Sequence, residues 1–302
     1  MSDTPASLRR KIEGAEKLAA VVRTMKAMAA SSIGQYEAAV RALDDYQRSV
    51  ELGLGVCLRS AAPATVEKPA RRTERVIGAI VFGSDQGLVG RFNEVIADFA
   101  RRTLHDLPGK KLVWAVGERV FAQLQDAGMT LAGQFVVPSS VTAITPLVSQ
   151  IQIESEARRA RGEYTEVYVF HNRPQSTALY EPVSQRQLPL DAQWRQQLAA
   201  LQWPTKNLPQ TLGGVEVTLD ALVREYLFIS LYKACAESLA SENGSRLAAM
   251  QRAEENIATL STNLSQTFHR LRQSSIDEEL FDVTTGFNAL SSKDRIAKVR
   301  AP

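Results

Sequence analysis

The sequence predicts an α/β protein in which a Rossmann-like domain is inserted between two long helices that pair as an antiparallel coiled coil. Ten of the twelve prolines lie between Pro63 and Pro209, so the two flanking stretches largely lack the residue that interrupts helices. Both flanking stretches carry apolar residues at heptad spacing, which indicates that each helix packs against another. Between them, β-branched segments alternate with helical ones, as in a mainly parallel α/β layer.

These patterns divide the chain into four segments. We expect an N-terminal coiled-coil helix over residues 1–60, an α/β domain with its linkers over residues 61–212, a C-terminal coiled-coil helix over residues 213–290 and a basic tail over residues 291–302. The tail carries four basic residues and one acidic residue.

The first helix is expected to run unbroken from Ser7 to Leu58. Starting at Leu8, fifteen seam positions follow alternating steps of four and three residues, and thirteen of them are apolar. The exceptions are Lys26 and Gln47. A repeat sustained over about seven heptads indicates a left-handed coiled coil, and the obvious partner is the C-terminal helix running antiparallel.

The second long helix occupies a stretch that has no proline before Pro302. A glycine pair at residues 213–214 marks its start, with Thr218 or Asp220 as the expected cap of the first turn. A helix over most of residues 210–290 would be on the order of 100 Å long, at about 1.5 Å per residue. Its heptad seam is interrupted at Glu254 and Ser261 and contains Leu247, Met250, Ile257, Leu264, Phe268 and Leu271.

The apolar seam changes phase after Leu271. The next apolar set consists of Ile276, Leu280, Val283, Phe287 and Leu290, with the acidic group Asp277, Glu278, Glu279 and Asp282 on the other side. A phase change rotates the apolar face of a helix. We therefore expect the last part of this helix to contact something other than its partner helix.

The middle segment follows a linker at residues 60–75 that is rich in alanine, proline and arginine. Strands are predicted over residues 75–82, 111–116, 130–137, 164–170 and 178–187, and helices over residues 93–104, 118–127 and 143–161. Residues 188–212 connect this domain to the second long helix.

Composition and charge argue against several classes of function. The net charge of +3 is too small to indicate nucleic-acid binding. Cys57 and Cys235 are the only cysteines and no Cys/His spacing typical of zinc sites is present, so neither a metal site nor a disulfide framework is expected. No apolar run approaches the ~18 residues that span a bilayer. Acidic residues near the N-terminus argue against a transit peptide.

A glycine-rich turn from Gly83 to Gly90 follows the first strand and opens a helix, where backbone amides can bind phosphate. It matches neither GxGxxG nor the P-loop, because the lysine that holds phosphate is missing. No nucleotide site or other cofactor is therefore expected. No catalytic triad or Cys/His pair stands out, and the acidic group at residues 277–279 lies on an exposed helix without a cleft, so no catalytic site is predicted.

Several motifs carry a resemblance to a known family. On the second long helix, Ser241-Glu242 with the run from Ser245 to Met250 is followed by the run from Arg272 to Leu280. The glycine-rich turn supplies Ser84, Asp85, Gly87, Leu88, Gly90 and Asn93, with Val89 where the family has cysteine. Together these motifs resemble the gamma subunit of F-type ATP synthases, and residues 8–31 match that family more loosely.

The resemblance implies a non-catalytic subunit that forms the central rotor shaft and couples ion-driven rotation of a membrane ring to conformational change at catalytic sites on beta subunits. The implied partners are the ring of alpha and beta subunits, the epsilon subunit and the membrane rotor ring of c subunits. The implied location is peripheral, at the cytoplasmic face of a bacterial inner membrane.

The resemblance also implies which residues meet the beta subunits. Arg272, Gln273 and Glu279 match the positions of a catch on those subunits. The wider set of implied interface residues comprises Arg23, Met25, Arg246, Ile276, Leu280, Val283 and Phe287. Two alternatives from other classes stay open: a coiled-coil scaffold or adaptor with an α/β docking domain, and an α/β enzyme with helical arms.

Overall fold

The structure is a computed structural model that describes residues 4–60, 75–176, 178–207, 209–211 and 213–299, with side chains described as far as residue 285. The helices are α1 (Pro5–Ala42), α2 (Asp44–Ser60), α3 (Phe92–Asp106), α4 (Glu118–Asp126), α5 (Ile144–Ala160), α6 (Ala192–Ala200) and α7 (Val215–Val299). The strands are β1 (Val76–Phe82), β2 (Lys110–Val116), β3 (Leu131–Phe135), β4 (Glu166–Arg173) and β5 (Glu181–Leu188), and a 3-10 turn at Val141–Ala143 precedes α5. These elements confirm the predicted fold class of an α/β domain with long N- and C-terminal helices.

Two predicted segments fall partly outside this description. Residues 61–74, which make up most of the predicted linker, lie outside the described residues, as do residues 300–302. Residues 291–299 of the predicted basic tail belong to α7 and are helical.

The sheet has the strand order β3-β2-β1-β4-β5, in which the first four strands are parallel and β5 runs antiparallel to β4. The central strand β1 reads as an apolar run because both of its faces are covered. Ile77 and Val81 on one face pack against α3 and α4. Ile80 and Phe82 on the other face pack against α5 and α7. The second long helix is therefore part of the core of the α/β domain.

The prediction of an unbroken first helix is wrong, because α1 ends at Ala42 and α2 begins at Asp44. At the break, the Leu43 amide donates to the Val40 carbonyl at 3.1 Å, a tighter turn than an α-helix makes. Asp44 and Asp45 then occupy the first turn of α2, where the helix dipole favours carboxylates. The apolar repeat continues through the break, which is why periodicity alone did not reveal it.

The start of α7 also differs from its prediction. Thr218 and Asp220, the predicted caps, lie inside a helix that begins at Val215. The Thr218 hydroxyl donates to the Gly214 carbonyl at 2.8 Å instead of capping an amide. Gly213 and Gly214 have φ angles of +86° and +101°, a region that glycine adopts without strain. The glycine pair therefore turns the chain directly into the helix.

The described residues form two compact units, one drawn from the ranges 1–26 and 250–302 and the other from the range 27–249. In the first unit, Leu8, Ala15 and Val22 of α1 are buried at intervals of seven residues, and so are Met250 and Ile257 of α7. Burial at this interval confirms the heptad seam that the sequence predicts.

The second unit shows the direction of helix pairing. Lys233 of α7 donates to Asp44 at 2.7 Å, and Tyr46 donates to Glu225 at 2.8 Å. The later residue on α2, Tyr46, contacts the earlier residue on α7, Glu225. These two helices are therefore antiparallel, as the sequence predicts.

Candidate partner-binding surfaces

A cluster of three charged residues, Arg23, Lys26 and Glu254, joins α1 to α7 within the first unit. Lys26 Nζ lies 2.5 Å from Glu254 Oε2, and Arg23 Nε lies 3.3 Å from Glu254 Oε1. The hydrogen bond from Lys26 lowers the pKa of the Glu254 carboxyl, with Arg23 as an additional cause. Arg23, a predicted interface residue, is therefore partly engaged within the chain.

The helix tip, residues 272–285 of α7, is exposed along its whole described length. It bears the predicted apolar residues Ile276, Leu280 and Val283, whose exposed fractions range from 50% to 74%. Phe281 is 70% exposed in the same stretch and was not predicted, because it lies outside the heptad pattern. The side chain of Phe287 lies beyond the described side chains. Apolar groups at this density on an exposed helix are available for a partner.

The predicted polar catch lies on the same exposed stretch. Arg272 and Gln273 are consecutive at the start of the helix tip, and Glu279 follows Arg272 by two helical turns. Because seven residues are close to two full turns, Arg272 and Glu279 lie on one side of the helix. A guanidinium and a carboxylate on one side can each make charge-assisted hydrogen bonds to a partner.

A second exposed apolar stripe lies on α1. Leu18 and Val21 are 52% and 55% exposed, and the half-buried Met25, a predicted interface residue, follows at the next helical step. Spacings of three and four residues place these side chains on one face. The sequence contained this signal, since the residues form their own i, i+3, i+7 series beside the buried seam, but they lie outside the seam positions.

Arg246 has a different setting from the other predicted interface residues. Its side chain is only 13% exposed, with Nη2 2.5 Å from Glu242 Oε1 and Nη1 donating to Asn243 Oδ1 at 3.2 Å. Burial raises the pKa of the Glu242 carboxyl, while Arg246 opposes the shift. Arg246 therefore compensates a buried carboxylate inside the second unit, and its predicted role at an interface stays a prediction.

The glycine-rich turn is organised by its own side chains. The Ser84 amide donates to Asn93 Oδ1 at 2.9 Å, and Asn93 Nδ2 donates to Ser84 Oγ at 2.8 Å. The Asp85 carboxylate accepts from the amides of Glu118 and Val137, both at 2.9 Å. Glu118 is the first residue of α4, so a carboxylate of the chain already occupies that helix N-terminus, a position that attracts anions.

The same turn is hydrogen-bonded to α7. Ser245 Oγ donates to the Val89 carbonyl at 2.5 Å, and Ser241 Oγ donates to the Asn172 carbonyl at 3.0 Å, at the end of β4. Two of the motifs that carry the sequence resemblance, the turn and the first part of α7, therefore contact each other. Sequence spacing did not reveal this contact, because Ser245 and Val89 are 156 residues apart.

Further features bear on cofactors and membranes. Within the described part of the chain, no group of three or more His, Cys, Asp or Glu side chains is arranged to hold a metal ion. Among the described helices, none is both long and apolar enough to span a bilayer. Cys57 and Cys235 are both buried as free thiols. Burial raises the pKa of each thiol, so neither is an activated nucleophile.

Comparison with known proteins gives consistent matches over the whole fold. A family model described as ATP synthase matches residues 4–290. The ATP synthase gamma chain of Dechloromonas aromatica is 25% identical over 286 residues, which covers 94% of this chain and 98% of that protein. The ATP synthase gamma chain of Cupriavidus pinatubonensis is 27% identical over 292 residues, with the same coverage.

Solved structures agree at the level of fold. A chain from the Euglena gracilis mitochondrial ATP synthase, in a structure of its OSCP/F1/c-ring in rotational state 3, superposes with a TM-score of 0.66 at 17% identity. That match covers 96% of this chain and 95% of the other. A chain from the central stalk and c-ring of the Tetrahymena thermophila enzyme gives a TM-score of 0.53 at 18% identity, covering 77% of this chain and 99% of the other.

Proposed function

Because this chain belongs to the ATP synthase gamma-chain family, we propose that it is the turning shaft that couples ion-driven rotation of a membrane ring to conformational change at catalytic sites on beta subunits. The observation that carries this proposal is the helix tip. Its large apolar side chains are exposed in the isolated chain, and an exposed apolar patch favours a partner that covers it.

The helix tip presents different groups around its circumference, which supports a role in rotation. Ile276, Leu280 and Val283 form an apolar face, while the acidic group at residues 277–279 with Asp282 lies around the rest of the helix, with Phe281 between Asp277 and Glu278. A ring of surrounding subunits would meet different sides of the helix at one moment. Each site's equilibrium would then shift by the difference in contact free energy, about tenfold for every 1.4 kcal/mol.

The α/β domain is proposed to bind the epsilon subunit and the membrane rotor ring of c subunits. The hydrogen bonds of Ser241 and Ser245 tie α7 to this domain. Glu237 of α7 adds a contact to His171 at 2.7 Å and one to Arg173 at 3.3 Å, both on β4. A torque applied to the domain would therefore act on α7 through several polar contacts and through the shared core.

The chain is proposed to have no catalytic site of its own and to work peripherally at the cytoplasmic face of a bacterial inner membrane. The first part is supported by the glycine-rich turn, which lacks the P-loop lysine and whose Asp85 carboxylate occupies the N-terminus of α4. The ion-transporting ATPase activity would then belong to the assembled complex with its alpha, beta, epsilon and c subunits.

Co-purification from detergent-solubilised membranes tests the function. The tagged chain should bring down alpha, beta and epsilon subunits together with the c-ring, in a complex that hydrolyses ATP. Titration calorimetry of the purified chain with MgATP should show no heat of binding. Capture of unrelated partners would support an adaptor instead, and a micromolar MgATP site or turnover by the chain alone would support an enzyme.

A further inference from the structure

One polar interruption of each heptad seam meets the other. Lys26 stands at an α1 seam position and Glu254 at an α7 seam position, and the other polar interruptions of the two seams are Gln47 and Ser261. They are 228 residues apart in sequence, yet Lys26 Nζ lies 2.5 Å from Glu254 Oε2. Each residue is therefore the specific complement of the other.

The pair is held at the margin of the seam. The side chains of Lys26 and Glu254 are 36% and 30% exposed, so each is half-buried among seam neighbours. Arg23, which is 68% exposed, approaches the other carboxylate oxygen from the solvent side. Val22 and Ile257, seam residues next to the pair in the repeat, are buried. An uncompensated charge at this position would be partly removed from water and left without its partner.

The contact shows how the two helices are aligned. Lys26 faces Glu254 in an antiparallel pair, so the residue seven positions before Lys26 faces the residue seven positions after Glu254. Ala19 therefore lies opposite Ser261, and a second step of seven residues places Ile12 opposite Phe268. In that alignment two small residues face each other and two large apolar residues face each other. A slip of one heptad places Glu254 opposite Ala19 in one direction and Lys26 opposite Ser261 in the other.

We infer that Lys26 and Glu254 select the register of the coiled coil in the first unit, by excluding the alignments that are slipped by one heptad. The apolar seam positions distinguish these alignments only by side-chain size, because their spacing maps onto itself after seven residues. The charged pair does not repeat, so only one alignment satisfies both charges. Polar residues at seam positions specify register in coiled coils at some cost in stability.

Disulfide trapping in the full chain tests the register directly. Cys57→Ala and Cys235→Ala remove the native thiols. Three cysteine pairs then report the alignment: Ala19→Cys with Ser261→Cys for the native register, and Ile12→Cys with Ser261→Cys or Ala19→Cys with Phe268→Cys for the two slipped registers. With Lys26 and Glu254 intact, we expect oxidation to crosslink the native-register pair and neither slipped pair.

Replacing both charges with apolar residues separates register from stability. In the Lys26→Ile, Glu254→Leu background the chain should stay folded, but at least one slipped pair should crosslink about tenfold more than before, which corresponds to ~1.4 kcal/mol of lost discrimination. The exchanged pair, Lys26→Glu with Glu254→Lys, is the matched control and should restore the native pattern. If the apolar background still crosslinks only in the native register, or if the native-register pair does not crosslink with both charges intact, the inference is wrong.

Discussion

Phe268 and Phe281 form a matched pair for testing which part of α7 holds the chain together and which part is offered to partners. Both are phenylalanines on the same helix, thirteen residues apart. Phe268 belongs to the heptad seam and is half-buried, whereas Phe281 is 70% exposed on the helix tip. Replacing each with alanine removes the same atoms from two different environments.

The expected magnitudes follow from burial. A fully packed phenylalanine loses ~3–5 kcal/mol of unfolding free energy on truncation to alanine, so half-buried Phe268 should lose about 2 kcal/mol. Phe281→Ala should change the unfolding free energy by no more than about 0.5 kcal/mol. If Phe281 is covered by a partner, its truncation should weaken assembly by about 2 kcal/mol, which is roughly 30-fold in the dissociation constant.

Urea denaturation followed by circular dichroism measures stability in the isolated chain, and titration of the labelled chain into the alpha–beta ring measures assembly. We expect the stability loss only in Phe268→Ala, and the assembly loss in Phe281→Ala without any loss of stability. Equal destabilisation by the two variants would refute the assignment of Phe281 to an exposed surface. Normal assembly of Phe281→Ala would remove it from the partner interface.

Three further predictions use other parts of the chain. Arg272→Ala with Gln273→Ala should leave the melting temperature almost unchanged, because both residues are exposed, yet impair ATP turnover of the assembled complex; turnover at the wild-type rate would remove them from the catch. Glu254→Gln should lower the melting temperature at pH 7. Because its folded-state pKa lies below the ordinary value of 4.5, that deficit should shrink as the pH falls below 4.5; a deficit that grows in acid would contradict the ion pair. Gly83→Ala would place a Cβ 2.3 Å from Val120 Cβ, so the unfolding free energy in urea should fall by about 1–3 kcal/mol; wild-type stability would show that the turn can shift.

The periodicity of apolar residues was the sequence signal that predicted burial most reliably. Leu8, Ala15 and Val22 are buried at the predicted interval, because the side chains that meet a partner helix are set by the local repeat. The apolar strand at residues 76–82 is likewise central in the sheet, since only a strand covered on both faces can be apolar throughout. The same reasoning placed the change of apolar phase after Leu271, at the point where the helix becomes exposed.

Local sequence signals gave wrong helix bounds where neighbouring residues set the start or end of a helix. The repeat continues through Leu43, so it gave no sign of the break between α1 and α2, whose carboxylates Asp44 and Asp45 favour a new helix start. Thr218 was a plausible cap by residue type, but the glycine pair before Val215 starts the helix earlier. Phe281 was not predicted to be an exposed apolar residue, because it lies outside the heptad repeat.

The sequence by itself determined the two heptad seams, the alternating α/β segment and the polar residues that interrupt the seams. Only the tertiary structure decided that Lys26 meets Glu254, that Arg246 compensates the buried Glu242, and that Ser245 reaches the turn at Val89. The physical reason is the sequence separation of the groups that interact. A repeat shows which side of a helix is buried, because that depends on neighbours a few residues away. A contact between groups 228 or 156 residues apart depends on how the whole chain closes, and no local pattern contains that information.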